Sequence, residues 1–243
     1  MKIKRHLLRL LRLSPLILLV VWLWPVNNGI CRWLTVFGWL GPAAAIALTV
    51  GRLWRRKRKW SYVLIAGVIG LSAGLLIVLL STAHADLRAG YVAELRRYDG
   101  TPYLWGGENR FGIDCSGLPR KAMRNALGKT GMRTFRPAFL LAAVKNWWFD
   151  TSAEALAQGY RHEVVPLNLQ GTVKDGPTDY LHPGDLAITD DGVHVMVFLG
   201  PDEWISADPG QGKVVIEHPS ESANPWFARP VRFYRFTLLN EYE

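Results

Sequence analysis

Two residues in the second half of the chain have the types needed for nucleophilic catalysis, and the first is Cys115. It lies in the sequence GIDCSGL, residues 112–118, at the predicted start of a helix that follows a glycine-rich loop. The thiolate is the reactive form of cysteine, and the free N–H groups and positive dipole end of a helix N-terminus lower a thiol pKa and can stabilise an oxyanion. Cys115 is therefore a candidate nucleophile, and the alternative interpretation is a small buried hydrophobe.

The candidate base is His194, in the apolar sequence GVHVMVFLG, residues 192–200, which predicts a strand. A histidine in such a strand is either a buried core residue or a catalytic base. If this strand and the next pair symmetrically about Gly200, Ser206 stands opposite His194 and Asp208 follows on the same face, one diagonal further along. A polar group beside the imidazole fixes a catalytic tautomer, so a cysteine, His194 and one of these two residues form a candidate triad.

The elements that must position these residues are helices first and strands afterwards. Apolar residues recur at helical spacing from Asp86 to Tyr98, and helices are also predicted from Asp114 to Leu127 and from Ala138 to Phe149. After about His162, short β-type runs alternate with turn residues, and the predicted strands are 186–188, 193–199, 203–207, 213–217 and 231–237. Helices followed by antiparallel strands predict an α+β domain.

The first 85 residues differ in composition from the rest of the chain. They contain no acidic residue, and twelve of the 29 Lys and Arg residues lie in the first 59, which leaves 17 basic against 20 acidic residues from Asp86 onward, a net charge of −3. The overall positive charge therefore belongs to membrane flanks rather than to the domain. For this reason we expect no nucleic-acid partner.

Three apolar segments predict a membrane anchor over residues 1–83. The clearest is 61–82, an uncharged run long enough to cross about 30 Å of hydrocarbon at about 1.5 Å per residue. A second span is predicted at 33–51 and a third at about 7–26, where two arginines must reach toward the headgroups. The alternative for the third segment is a signal peptide, which leaves two spans.

The basic segment 52–60 indicates how this anchor is oriented. The positive-inside rule places it in the cytoplasm together with the basic N-terminus, so the chain after Thr82 lies outside. We therefore expect a multi-pass protein of the inner (cytoplasmic) membrane, with the lipid bilayer as a partner and the domain 84–243 on the periplasmic or extracellular side. Cys31 and Cys115 are too few for a disulfide framework, although a single bridge between them stays open.

Four motifs of the domain resemble those of the NlpC-type bacterial cell-wall cysteine peptidases, which belong to the papain-like superfamily. They are YLWGG at 103–107, DCSG at 114–117, PGDL at 183–186 and the His-Val pair at 194–195, ahead of a hairpin. The resemblance covers about residues 92–215. It implies a papain-like fold and the cleavage of amide bonds in peptidoglycan stem peptides, typically beside D-glutamate and diaminopimelate, without metal or cofactor.

The resemblance also implies roles for individual residues. By position, Cys115 would be the nucleophile and His194 the general base. Tyr103 matches the family tyrosine near the oxyanion site, and Asp114 matches the aspartate that binds the free amine of the stem peptide in some members. Ser116, in the same motif, is a third candidate for substrate binding. The alternatives are aromatic packing for Tyr103 and a helix N-cap for Asp114.

Three features depart from the family pattern. The third catalytic position, usually His, Asn or Gln, aligns with Ser206, a weaker orienter, and Asp208 substitutes for it only if the strand continues past Ala207. Pro119 interrupts the nucleophile helix early, which is tolerable only within the first turn. The segment 129–180 is an insertion for this family. It contains three aromatic residues that we interpret as buried packing, with a lid or a membrane-facing edge as alternatives: Trp147, Trp148 and Phe149.

The function that the sequence favours is a membrane-anchored thiol hydrolase acting on the cell wall. A catalytically degenerate domain that binds wall peptides or a partner protein is the second hypothesis, motivated by Ser206 at the third catalytic position. The third is an amidase or acyltransferase acting on a lipid substrate, motivated by the membrane anchor. The three differ in whether Cys115 reacts and with which substrate.

Overall fold

A computed structural model describes the chain in two compact units, Met1–Ala83 and His84–Glu243. The second unit is described almost throughout and the first only in part. The described residues are 20–21, 23–24, 26, 28–56, 67, 70, 72 and 87–240.

In the first unit, helix α1 spans Gly29–Arg56. Its segment Gly29–Gly51, 23 residues long, is sufficiently long and apolar to cross a membrane. It is the one helix with this property in the part of the chain that the structure describes. The predicted span 33–51 lies within α1, whereas the predicted spans 7–26 and 61–82 fall almost entirely outside the described residues.

The second unit begins with helices, as the sequence predicts. Helix α2 (Leu87–Arg96) is followed by two short strands, β1 (Glu108–Asn109) and β2 (Gly112–Ile113), which pair with each other. Helices α3 (Gly117–Thr134), α4 (Pro137–Trp148) and α5 (Ala153–Ala157) come next. Helix α3 continues past its predicted end at Leu127 and stops where Phe135 adopts a left-handed conformation.

The second half of the unit forms a six-stranded sheet in the order β3-β8-β4-β5-β6-β7, with every pair of neighbours antiparallel. The α+β class, with helices before an antiparallel sheet, is thus confirmed. The short helix α6 (Thr237–Asn240) follows the last strand. The strands are β3 (Val164–Gly171), β4 (Leu186–Thr189), β5 (Val195–Gly200), β6 (Glu203–Asp208), β7 (Lys213–Glu217) and β8 (Val231–Phe236).

The sheet separates two apolar clusters because successive strand residues point to opposite faces. On one face, Val197 of β5 and Ile205 of β6 pack in the same cluster as Leu118 of α3. On the other face, Phe198 and Trp204 form part of a second cluster. Leu118 of α3 therefore lies in the same core as residues from the strands on both sides of the β5–β6 turn.

A buried ion pair joins β4 to β8. Asp185, just before β4, is fully buried, and both of its carboxylate oxygens contact the Arg235 guanidinium at 2.8 Å. Removing one partner of such a pair leaves an uncompensated charge at a cost of about 3–5 kcal/mol. The PGDL motif therefore has a structural role. Its Gly184 has φ +98°, and a Cβ there would lie 2.9 Å from the Tyr91 ring.

Candidate active site

Asp114 marks the start of the helix that carries the candidate nucleophile. The Leu118 N–H donates to the Asp114 carbonyl at 3.0 Å, so the first helical turn begins before α3 itself. The Asp114 carboxylate accepts hydrogen bonds from the Gly117 N–H at 2.6 Å and the Ser116 hydroxyl at 3.2 Å. Its other oxygen accepts the Gly106 N–H at 2.8 Å. Asp114 therefore caps the helix and ties the YLWGG loop to it.

The close approach of the YLWGG loop explains the glycine at position 117. A Cβ at this position would lie 2.5 Å from the Gly107 carbonyl oxygen and 2.9 Å from Asp114 Oδ1. Both distances are shorter than a real Cβ contact, so the loop and the helix start can approach this closely only without a side chain. The backbone around Cys115 is thus fixed by contact with the preceding loop. Pro119 is the third residue of α3 and so falls within its first turn, where proline is expected to be tolerated.

The Cys115 sulfur lies against the strand that begins after His194. Its thiol donates to the Val193 carbonyl oxygen at 3.6 Å, and the side chain is only 6% exposed. Burial, followed by the charge of Asp114, raises the pKa of the thiol to about 12, although the N–H groups of Val195, Ser116 and Cys115 itself act to lower it. The helix start therefore supplies the expected donors, but burial outweighs them and the resting sulfur is protonated. Cys31 and Cys115 are both free, so the single disulfide left open by the sequence is absent.

His194 lies just before β5 rather than within it. Thr189 fixes its backbone: the His194 N–H donates to Thr189 Oγ1 at 3.0 Å, and the Thr189 N–H donates to the His194 carbonyl at 3.1 Å. The side chain is 1% exposed, and burial lowers the pKa of the imidazole to about 4. Asp208 and Asp191 act in the opposite direction, while Arg229 lowers this pKa further. The imidazole is therefore neutral, and its Nε2 has no hydrogen-bond partner among the described residues.

An indole covers the imidazole. The rings of Trp226 and His194 are stacked, with centroids 4.2 Å apart and an interplanar angle of 22°. The Arg229 guanidinium lies over the Trp226 ring, 4.6 Å from its centroid. The same arginine pairs with Asp191 at 2.7 Å. Trp226 was not among the residues predicted from the sequence. The one local signal for its turn is the Asn224-Pro225 pair, which begins a 3-10 turn over Pro225–Ala228.

Asp208, rather than Ser206, stands opposite His194. The β5–β6 ladder pairs Val197 with Ile205, and continuing this register by three residues pairs His194 with Asp208. The predicted register was displaced by two residues because the turn occupies Pro201 and Asp202 instead of being centred on Gly200. Strand β6 does extend past Ala207 to Asp208, as the substitution of Asp208 for Ser206 requires.

Ser206 is buried on the same face of β6 as Asp208, two residues earlier in the strand. The β5–β6 register places it opposite Met196, and on its other side it pairs with Val215 of β7. A displacement of two residues preserves the face of a strand, so Ser206 and Asp208 both lie on the side predicted for them. The cross-strand neighbour of His194 is nevertheless the aspartate.

The Asp208 carboxylate is held from two directions. One oxygen accepts the Gly210 N–H at 2.6 Å, and the other accepts Asn224 Nδ2 at 2.7 Å. The same Asn224 side chain donates from Nδ2 to the Glu217 carboxylate at 2.7 Å. Its Oδ1 accepts a hydrogen bond from the backbone N–H of Trp226 at 3.1 Å. Asp208 is therefore connected through one amide to the turn that covers His194.

Tyr103 completes the group of predicted residues that the fold brings together. Its N–H donates to the Gly212 carbonyl at 2.8 Å, next to β7, and its backbone bridges Ile113, two residues before Cys115. Burial, followed by the ionisable groups of Cys115, Asp114 and Asp208, raises the pKa of the Tyr103 hydroxyl to about 12. Within the described part of the chain, no three His, Cys, Asp or Glu side chains are grouped closely enough to hold a metal ion.

The predicted insertion is anchored to α3 by Arg120, which is almost fully buried. One guanidinium nitrogen contacts Glu108 at 2.7 Å and Asp150 at 2.6 Å, while the other donates to the Asn146 and Phe149 carbonyls. The three aromatic residues Trp147, Trp148 and Phe149 are each partly buried. The Arg161 guanidinium lies 3.5 Å from the Phe149 ring centroid, so packing accounts for part of this cluster.

Comparison with known proteins gives a match to the NlpC/P60 family over residues 100–232, more than half of the chain. Protein P54 of Enterococcus faecium is 46% identical over 41 residues, which is 17% of this chain and 8% of that protein. The chain therefore matches only a small part of the length of this relative.

The chain is also similar to several solved structures. The NlpC/P60 domain of the peptidoglycan hydrolase SagA is 24% identical, over 61% of this chain and 97% of that one, with a TM-score of 0.36. The peptidoglycan hydrolase RipB from Mycobacterium tuberculosis is 20% identical over 63% and 67%, with a TM-score of 0.37. NlpC1 from Trichomonas vaginalis is 17% identical over 65% of this chain and 45% of its own, with a TM-score of 0.41. The family match spans Cys115, His194 and Asp208, and by that match this chain belongs to the NlpC/P60 family.

Proposed function

We propose that this protein is a membrane-anchored cysteine peptidase that hydrolyses amide bonds of peptidoglycan stem peptides. The observation that carries the proposal is the position of the Cys115 sulfur. It lies at the start of α3 and contacts the backbone of Val193, the residue that precedes His194. A thiol at a helix N-terminus, in contact with the residue that precedes a histidine, provides candidates for a nucleophile, a base and an oxyanion site. Family membership supports the chemistry, and SagA and RipB are themselves described as peptidoglycan hydrolases.

The proposed reaction starts from a neutral pair, since burial keeps both the thiol and the imidazole uncharged. As the sulfur attacks the carbonyl carbon of the substrate and the C–S bond forms, the thiol proton passes to His194. The N–H groups of Cys115 and Ser116, at the start of the helix, stabilise the oxyanion. The C–N bond then breaks, and the leaving amine takes the proton from His194. Water hydrolyses the thioester with His194 again as the base, which regenerates the thiol.

Four further residues are proposed to support this reaction. Asp208 orients the imidazole and stabilises its charged form, since its negative charge raises the pKa of His194. Tyr103 is proposed to act near the oxyanion site, as the resemblance to the family implies. Asp114 and Ser116 are proposed to face the stem peptide, where the carboxylate would attract a free amine by its charge, because both of its oxygens already accept hydrogen bonds from the protein.

Measuring muropeptide cleavage by the full-length protein in detergent or liposomes tests the chemical part. We expect Cys115→Ala and His194→Ala to abolish product formation, whereas the matched variant Cys31→Ser retains it. Cleavage that survives in Cys115→Ala would sink the assignment of the nucleophile. Unfolding curves recorded for each variant separate a chemical loss from a failure to fold.

The location is a separate part of the proposal. We propose three membrane spans, at 7–26, 33–51 and 61–82, with the segment 52–60 in the cytoplasm and the domain outside. Helix α1 supports the second span, and the distribution of basic residues supports the orientation. A reporter enzyme that is active only outside the cytoplasm, fused after Glu243, should be active. If this fusion is inactive while a reporter that works only in the cytoplasm is active at the same position, the domain lies inside and the proposed orientation is wrong.

A wall-peptide-binding domain without catalysis is the second candidate. The observation that favours it is the burial of both Cys115 and His194, which leaves no exposed nucleophile at rest. This alternative predicts that muropeptides bind without loss of substrate and that Cys115→Ala binds them equally well. Turnover that depends on Cys115 rejects it.

A further inference from the structure

Helix α4 has two apolar faces, and the domain buries only one of them. Phe139, with Ala142 and Ala143, packs against the main core. The opposite side carries four exposed residues at helical spacing, which we call the α4 stripe: Pro137, Leu140, Leu141 and Val144. Leu141 and Val144 are 55% and 56% exposed, and Leu140 is 38% exposed. A contiguous apolar patch of this kind marks an interaction surface more often than an ordinary solvent-facing helix.

Two residues at the end of α3 extend this surface. Met132 and Phe135 are 61% and 57% exposed. Phe135 follows α3 in a left-handed conformation, with φ 50° and ψ 38°, at a position where glycine or asparagine is favoured. The chain thus places an exposed phenyl ring where a small or polar residue would be less strained. We group these two side chains with the α4 stripe as the exposed apolar residues of the α3–α4 corner, where α3 ends and α4 begins.

The charge around this surface indicates its partner. Residues 128–149 contain no acidic residue and four basic ones, one of which, Lys129, pairs with Glu94, although the chain from Asp86 onward has a net charge of −3. Arg133 and Lys145 of this segment are both exposed. Apolar side chains beside basic ones are typical of helices that lie in a membrane interface, where lysine and arginine attract anionic headgroups. A second copy of the chain fits less well, because a symmetric contact would bring the same cations together.

We propose that the α3–α4 corner binds the surface of a lipid bilayer that contains anionic lipids. The apolar side chains enter the boundary between headgroups and acyl chains, and the basic residues contact the phosphates. This interaction goes beyond the proposed hydrolase activity and does not require it. It would fix the orientation of the domain at the membrane, in addition to whatever tether the N-terminal unit supplies.

The test uses the full-length chain reconstituted in vesicles, in a Cys31→Ser, Cys115→Ala background that cannot hydrolyse wall peptides. An environment-sensitive fluorophore is attached either at Leu141→Cys or at Glu221→Cys, an exposed control position outside residues 128–149. In vesicles with anionic lipid, we expect quenching by brominated acyl chains to be at least about twofold stronger at position 141 than at position 221. Charge reversal by Arg133→Glu with Lys145→Glu should remove most of that difference.

Three results would overturn the proposal. One is equal quenching at the two label positions. Another is quenching at position 141 that is the same in purely zwitterionic vesicles, which would remove the role of the basic residues. The third is a blue-shifted label at position 141 without quenching by the lipid, because a protein surface and not the bilayer would then cover α4. Since the background lacks Cys115, none of these results bears on the proposed catalysis.

Discussion

The indole of Trp226 lies flat on the imidazole of His194, with ring centroids 4.2 Å apart. Burial is the main cause of the lowered pKa of His194, and the stacked ring of Trp226 contributes to that burial. Trp226 does not belong to the recognised motifs, and it acts through His194. We therefore regard it as a positioning residue.

Replacing Trp226 with alanine should expose the imidazole and raise its pKa from about 4 toward the ordinary value of 6.5. In a pH–rate profile of kcat/KM, the acidic limb should move to higher pH, and the plateau should fall by about tenfold as the ring loses its orientation. Trp226→Phe keeps an aromatic ring in place and should restore most of the wild-type profile. An unshifted acidic limb in Trp226→Ala would show that other groups bury His194.

The register of β5 and β6 predicts that Asp208 matters more than Ser206. Asp208→Asn keeps an oxygen acceptor for the turn but removes the charge that supports the imidazolium, so kcat should fall by about 100-fold or more. Ser206→Ala should change kcat little, because Ser206 stands opposite Met196 rather than His194. Urea unfolding of both variants controls for stability. A larger loss of rate in Ser206→Ala would reject Asp208 as the orienting residue.

Stability should depend on pH through His194. The pKa of the buried imidazole is lowered from 6.5 to about 4, so between these values the unfolded chain binds more protons than the folded one. The folded state therefore loses stability as pH falls from 6.5 toward 4, by about 2 kcal/mol between pH 7.5 and pH 5. The difference in unfolding free energy between wild type and His194→Gln should carry this pH dependence. Parallel curves for the two proteins would contradict it.

Two glycines of α3 should respond to alanine in opposite directions. Gly117→Ala places a Cβ 2.5 Å from the Gly107 carbonyl oxygen and should destabilise the domain by about 1–3 kcal/mol, with loss of activity. Gly128→Ala meets no atom within 4 Å and should stabilise the helix by up to about 1 kcal/mol. Thermal unfolding of the two variants checks both signs. Equal effects would mean that the contact between the loop and the helix start does not constrain the site.

The regular elements could largely be predicted from the sequence. Helices α2 and α4 and strands β4 to β8 follow from periodicity and turn residues, whereas β3 was not predicted. It has a register irregularity between Pro166 and Gln170 and a left-handed Asn168, which interrupt the alternation that identifies a strand. Helix α3 also ends later than expected, because the glycine at 128 is accommodated inside it.

The residues of the candidate site could be proposed from the sequence, but the residue of β6 that stands opposite His194 could not be predicted correctly. Cys115 and His194 follow from their motifs, but the cross-strand neighbour of His194 depends on which residues form the β5–β6 turn. That turn is set by Pro201 and by Asp202 in a left-handed conformation, a choice that alternating hydrophobicity does not encode. Trp226 comes from a segment about 30 residues away in sequence, and no local sequence pattern indicates that its ring stacks on His194.

The burial of Cys115 also affects how long the protein stays chemically intact. Oxidation and alkylation of cysteine require an accessible thiolate, and this sulfur is both protonated and covered. A domain that works outside the cytoplasm, as proposed, meets oxidants without the reducing systems of the cell interior. If Cys115 is the nucleophile, as proposed, the fold protects it by burial while no substrate is bound, and the entry of a substrate into the site would have to expose the sulfur.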